Sequence, residues 1–251
     1  VPAVAVNATD FLVTDDTFND AQPLLTISKK KAQKLLLPLV QKGTVPVVTG
    51  FIGATRDGVT TTLGRGGSDF SGTILGYCLD ADEVWIWTDV NGVMTSDPRV
   101  VPAARTIERM SYEEASELSY FGAKVIHPRT MIPTAELGIP IVIKNTMNPE
   151  HPGTQITPNG DAAAKGAKAL TLMKDLAMIT IQGKGMRGVF GTASRVFDTM
   201  AAAKVNVLFI SQASSENNIT IVVEKAAGQV ATRVLRQAFA SEVRAKRIDF
   251  V

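Results

Sequence analysis

The chain has 251 residues, 45% hydrophobic and 20% charged, with a formal net charge of +2. That length buries one sizeable core or two smaller ones, and a charge so near zero leaves no broad nucleic-acid footprint. The single cysteine rules out a disulfide framework and suits a reducing compartment, and no apolar run reaches the ~18 residues of a membrane span.

In chain order, the Lys29-Lys30-Lys31 and Lys34 cluster reads as the wet face of a helix. The most informative stretch follows: three hydroxyls, Thr60 to Thr62, lead into Leu63-Gly64-Arg65-Gly66-Gly67-Ser68-Asp69. Glycines let backbone approach a ligand, and a helix start attracts anions. Arg65 offers a planar fork to a carboxylate or phosphate. Ser68-Asp69 is expected to cap an amphipathic helix over Phe70 to Leu79, with Ile74, Leu75, Cys78 and Leu79 on one apolar face. The run is not a Walker A loop, because no Gly-Lys-Ser/Thr follows, and its glycines miss the Gly-x-Gly-x-x-Gly order of a dinucleotide fingerprint. It looks built to hold a small anion.

Val84-Trp85-Ile86-Trp87-Thr88-Asp89 reads as a buried strand, apolar throughout, ending in polar groups. Open α/β sheets bind ligands at such strand ends. A turn and the polar run Thr95 to Arg99 follow, adding a carboxylate at Asp89 and a cation at Arg99. Ser111-Tyr112-Glu113-Glu114 is a capping box opening a helix to about Phe121, with Gly122 after it. Ala123 to Pro128 reads as the start of a further strand, carrying Lys124 where a phosphate-binding lysine would sit. His127 and His151 each adjoin a proline and lack ligand partners nearby, so no metal-ligating residue is assigned.

Past a Gly/Ala/Lys-rich linker, Asn159 to Lys168, the tail changes character. Leu176 to Ile181 is expected as a strand, Met186 to Gly191 as a Gly-rich turn and Thr192 to Ala203 as a helix. Strands are expected over Val205 to Ile210 and Ile219 to Val223. A second helix follows over Ala226 to Phe239, with Val230, Val234, Leu235 and Ala238 on one side. The β-α-β-β-α order suits a ferredoxin-like unit.

Taken together, Gly50 to Asp69, Trp87 to Arg99 and Phe121 to Thr130 resemble aspartate kinase in order and approximate spacing. Ile139 to Ile141, Asn145-Thr146, Asn148-Pro149 and Pro152 to Thr154 resemble the end of that family's catalytic domain. The tail resembles its ACT regulatory domain, and Ser211 to Glu216 looks closest to bifunctional aspartokinase–homoserine dehydrogenases. The implied class is α/β: a partial amino-acid-kinase domain with a mainly parallel sheet over residues 1–156, a linker over 157–169 and an ACT domain over 170–251.

The resemblance implies ATP-dependent phosphorylation of the L-aspartate side-chain carboxylate to 4-phospho-L-aspartate, with Mg2+. This is the first step toward lysine, threonine and methionine, in the cytoplasm or, in a plant, the plastid stroma. Arg65 would hold the substrate carboxylate beside the Gly66 and Gly67 backbone and the Ser68 hydroxyl, with Asp69 on the amine or orienting the loop. Thr88 and Asp89 would line the nucleotide site, Arg99 the phosphates, and Lys124 with Val125 the adenosine. Met94 stands where the family usually has a tyrosine. The family's Lys-x-Gly-Gly-Thr-Ser loop has no counterpart in Val1 to Gly43, so the chain is expected to be a fragment, inactive alone. The alternative is a non-catalytic amino-acid-binding regulatory module.

In the ACT unit, Asn206, Val207, Gln212, Ser214, Ser215 and Glu216 gather at a strand end, expected to face Met186 and Val189. Gln212 suits the hydroxyl and ammonium of threonine, and Leu208 offers no carboxylate for lysine's far ammonium. Threonine is therefore the expected effector ahead of lysine. A homodimer is expected through the Val205 to Ile210 strand and the helix of Val196 and Phe197.

Overall fold

Near the amino terminus, β1 (Ala3–Val6) and β2 (Val45–Val48) pair in parallel, which demands a crossover, and α1 (Leu25–Gln41) supplies it. The computed structural model describes residues 1–120, 126–161, 166–184, 186 and 188–251. It divides the chain into two units, Val1–Leu172 and Met173–Val251.

In the first unit, a hairpin of β3 (Ile52–Ala54) and β4 (Thr60–Thr62) feeds α2 (Gly67–Leu79). Five elements follow β5 (Val84–Thr88): β6 (Arg109–Ser111), α3 (Tyr112–Tyr120), α4 (Pro128–Leu137), β7 (Ile141–Asn145) and β8 (Thr154–Thr157). The sheet runs β5-β7-β8-β6, parallel at β5·β7 and β6·β8 and antiparallel at β7·β8. One core gathers Phe11, Leu12, Leu36, Leu63, Phe70, Ile74 and Cys78; another gathers Val84, Ile86, Met110, Ile141, Ile143 and Ile156. Burial pushes the Cys78 thiol up to about 12, as expected of a core cysteine.

Strand β5 departs from the expected buried run. Val84 and Ile86 face the core, but Trp85 and Trp87 point outward, 49% and 45% exposed. Their rings lie 5.8 Å apart, with the Lys144 ammonium 5.5 Å from the Trp85 ring. Tryptophan is apolar yet large, so a run that looks uniformly buried hides a strict alternation at the sheet edge.

The capping box forms as expected: the Ser111 amide donates to Glu114 Oε2 at 2.8 Å and the Glu114 amide to Ser111 Oγ at 3.1 Å. The strand expected over Ala123 to Pro128 is not found in its described part, because Pro128 opens α4 with His127 as N-cap. Proline's fixed φ and missing amide favour a first helical position. Among the described residues, no helix is long and apolar enough to cross a membrane.

The second unit carries β9 (Leu176–Gln182), α5 (Thr192–Ala202), β10 (Phe209–Gln212), β11 (Asn218–Glu224), α6 (Lys225–Ala238), α7 (Ala240–Arg244) and β12 (Asp249–Phe250). Its antiparallel sheet runs β10-β11-β9-β12, and β12 completes a β-α-β-β-α-β order that the sequence pattern left open. The strand expected from Val205 starts only at Phe209. Lys204 turns the chain with φ of 55°, and the lead-in is tied by Leu208 N–H to Val222 O at 2.8 Å. On α6, Val230 is exposed, and Gly228, Ala231 and Leu235 face inward.

Candidate active site

The Gly-rich loop joins β4 to α2 through two left-handed residues, Gly64 (φ 75°) and Gly66 (φ 70°). Space is closed around each glycine. A Cβ on Gly64 would sit 2.6 Å from Asp20 Oδ1, one on Gly66 3.0 Å from His127 Cβ, and one on Gly67 2.7 Å from the Phe51 ring. Gly66 is itself the N-cap of α2, and no side chain caps the helix. Ser68 and Asp69 therefore lie within the first turn instead of capping it, which corrects the expectation from sequence. Arg65 and Ser68 are exposed and Asp69 is half-buried. Desolvation raises the Asp69 pKa above the usual aspartate value. The loop thus presents an uncapped helix start, an exposed cation and a partly desolvated carboxylate within five residues.

Residues far away in sequence brace this loop. The Phe51 amide donates to Ser71 Oγ at 2.8 Å, and that hydroxyl donates to Gly67 O at 2.8 Å. From the start of α4, Arg129 pairs with Asp20, donates to Leu63 O at 3.2 Å and Ala21 O at 2.6 Å, and lies 4.8 Å over the Phe70 ring. Beside it, His127 Nδ1 accepts from the Arg129 amide at 3.3 Å. Burial, then the Arg65 and Arg129 cations, hold the His127 pKa below its ordinary value. Nothing in the local sequence marks Arg129 or Asp20 as partners.

At the carboxyl end of β5, the Thr88 hydroxyl donates to Asp89 Oδ1 at 3.2 Å, and Asp89 is exposed. The turn after it is pinned from two sides. Asn91 Oδ1 accepts from Asn145 Nδ2 at 2.7 Å and Asn148 Nδ2 at 3.3 Å. Val93 N–H donates to Thr154 Oγ1 at 2.8 Å, and that hydroxyl donates to Ile107 O at 2.6 Å. Met94 is half-buried, its Sδ 3.6 Å from the Thr106 hydroxyl. Arg99 is 84% exposed along its side chain, with its fork closed on Asp97 at 3.0 and 2.8 Å. Lys124 and Val125 lie outside the described residues. Among the described residues, no three His, Cys, Asp or Glu gather to hold a metal ion.

In the second unit, Glu216 Oε2 accepts from the Gly188 amide at 3.2 Å, which brings Glu216 to the turn of Met186 and Val189. Met186 is buried, whereas Val189, Gln212, Ser214 and Ser215 are exposed. Asn206 is exposed on the lead-in to β10, and Val207 packs against the core.

The crossover α/β unit with a Gly-rich loop at a helix start, followed by a ferredoxin-like unit, is the arrangement of an amino-acid-kinase fold ahead of an ACT domain. The chain belongs to the amino acid kinase family, whose sequence pattern matches residues 1–145, and an ACT domain matches residues 179–239. It is 45% identical over 210 residues to the bifunctional aspartokinase/homoserine dehydrogenase of Haemophilus influenzae, a match covering 84% of this chain and 26% of that protein. In structure it resembles E. coli aspartokinase III in complex with lysine and aspartate, with a TM-score of 0.75 and 32% identity. That likeness covers 100% of this chain and 55% of the other. The same enzyme in complex with aspartate and ADP gives 0.69 and 30%, covering 99% and 55%. The chain spans about a quarter of the length of that curated relative.

Proposed function

We propose that this chain carries the aspartate-binding loop and a nucleotide segment of an aspartate kinase, followed by an amino-acid-sensing ACT unit. The observation that carries the reading is the pairing of opposite charges on the uncapped start of α2. Arg65 and the first-turn amides suit a carboxylate, and half-buried Asp69, its pKa raised by desolvation, suits an ammonium. An amino acid presents both groups.

In the reaction, a side-chain carboxylate oxygen of aspartate attacks the γ-phosphorus of ATP. A carboxylate O–P bond forms as the bond to the β–γ bridging oxygen breaks, releasing ADP and an acyl phosphate. The nucleophile is already an anion, so the protein's work is orientation and charge neutralisation. Arg65, Gly66, Gly67 and Ser68 hold the substrate, Asp69 its amine. Thr88, Asp89 and Met94 line the nucleotide, with Arg99, Lys124 and Val125 toward its phosphates and adenosine. For Arg99 this requires exchanging Asp97 for phosphate. A Mg2+ would arrive on the nucleotide phosphates and neutralise their charge, with the exposed Asp89 carboxylate as the available oxygen ligand.

The second reading, an amino-acid-binding module without catalysis, is favoured by one observation: an ACT domain matches residues 179–239. Threonine is the proposed effector, held by Gln212 and the groups around Glu216 and Met186, and a homodimer through the ACT unit is the proposed assembly. Calorimetric titration of L-aspartate, with succinate as the analogue lacking an ammonium, tests the loop assignment. Saturable aspartate binding with little succinate binding supports it, and equal binding removes Asp69 from the amine. A coupled ADP-release assay on the same sample separates the two readings. The expectation is binding without turnover, and turnover at an ordinary ~10 per second would refute the inactive-alone proposal.

A further inference from the structure

We infer that Arg129 is a positioning residue for the anion loop, a role that rests on reading that loop as the aspartate site. Its guanidinium, on a side chain only 15% exposed, reaches three separate pieces of chain. It takes the Leu63 carbonyl at 3.2 Å, one residue before Gly64. It takes the Ala21 carbonyl at 2.6 Å and the Asp20 carboxylate, whose Oδ1 fills the space a Gly64 side chain would occupy. Its Cζ lies 4.8 Å from the centroid of the Phe70 ring, in the opening turns of α2. One side chain from α4 therefore fastens both ends of the Gly64 to Gly67 turn and the segment under it.

The helix that carries Arg129 touches the loop a second time. His127, the N-cap of α4, stands 3.0 Å from where a Gly66 Cβ would be. The two left-handed glycines are thus each backed by a group tied to Arg129: Gly64 by Asp20, Gly66 by His127. A lysine cannot reproduce this, because the nitrogens of a guanidinium reach two carbonyls and a carboxylate from separate points, whereas an ammonium donates from one atom. Simple space-filling does not account for it either. Arg129 Nε is buried without a hydrogen-bond partner among the described residues, a cost that an apolar side chain of the same length would avoid. The fastening therefore holds the backbone on both sides of exposed Arg65, the residue proposed to meet the substrate carboxylate.

The test uses the whole chain as wild type, Arg129→Lys, Arg129→Met and Asp20→Asn. Amide hydrogen exchange is read in the absence of ligand, and L-aspartate binding by calorimetry. In Arg129→Lys, the Gly64 to Ser68 amides should exchange about tenfold faster while β5 and β7 keep wild-type protection. Aspartate affinity should fall about tenfold in step, with Asp20→Asn milder because the Leu63 and Ala21 carbonyl bonds remain. Arg129→Met, which keeps the apolar stem, should behave like Arg129→Lys or worse. Should Arg129→Met fail to fold, Arg129→Lys alone decides. Wild-type exchange in Arg129→Lys overturns the inference, as does a loss of protection spread evenly over β5, β7 and the loop. Faster loop exchange in variants of a wild type that binds no aspartate keeps the fastening and removes the substrate assignment.

Discussion

Replacing Gly66 by alanine tests the loop geometry with the least chemistry. Gly66 has φ of 70° and ψ of 15°, a region where an L side chain costs ~1–2 kcal/mol. Its Cβ would also meet His127 Cβ at 3.0 Å, and His127 is fixed as the N-cap of α4, so the contact is not relieved by a rotamer change. Together these put the loss at ~1–3 kcal/mol. At ~2–4 °C per kcal/mol for a unit of this size, the transition should drop by ~2–12 °C. Both tryptophans of the chain, Trp85 and Trp87, lie in β5, so tryptophan fluorescence follows the first unit alone. Gly66→Asn should lose less, because asparagine visits the left-handed region more readily. An alanine variant melting within about a degree of wild type would refute the reasoning, since neither strain nor contact would then exist.

Asp69→Asn should raise the melting point of the first unit at pH 7 while abolishing aspartate binding. Its carboxyl pKa is raised on folding, so the ionised form opposes the fold at neutral pH, and the gain should vanish as pH falls through that raised value. In the second unit, the Ser241 hydroxyl and Arg195 hold Glu242 well below its ordinary 4.5, at about 2. A depressed carboxylate stabilises above its unfolded pKa, so the melting point of that unit should fall as pH drops from 4.5 toward 2. Glu242→Gln should flatten that fall. Titration of threonine and lysine should give heats with threonine, lost in Gln212→Ala; lysine binding alone would overturn the effector assignment.

The legible parts of the sequence were those in which local chemistry fixes local structure. The Ser111–Glu114 box reads directly because both partners lie three residues apart. Glycines at Gly64 and Gly66 announce left-handed backbone, although the same stretch misled over Ser68 and Asp69. A Ser-Asp pair caps a helix only when it stands outside the first turn, and here Gly66 already holds that position. The tryptophans of β5 were misread because hydropathy does not separate a core side chain from an aromatic on an open edge. Val205 to Leu208 has strand composition but gains a single bond to β11, so pairing, which composition cannot see, moved the start of β10 to Phe209. Arg129 and Asp20 are 109 residues apart, and each alone reads as a solvated charge. Their meeting under the loop is a property of the tertiary fold.

The central claim is that the Gly64 to Asp69 loop binds the substrate amino acid through Arg65. Its most direct test is calorimetric titration of L-aspartate into wild type and Arg65→Ala at matched pH and salt. Arg65 is exposed, so the substitution should leave folding intact. Truncating one member of a charged pair that the bound ligand covers costs ~2–5 kcal/mol, so saturable wild-type binding should weaken by at least about thirtyfold. Arg65→Lys should also be impaired, because lysine lacks the planar fork. Binding of equal strength in wild type and Arg65→Ala would contradict the account.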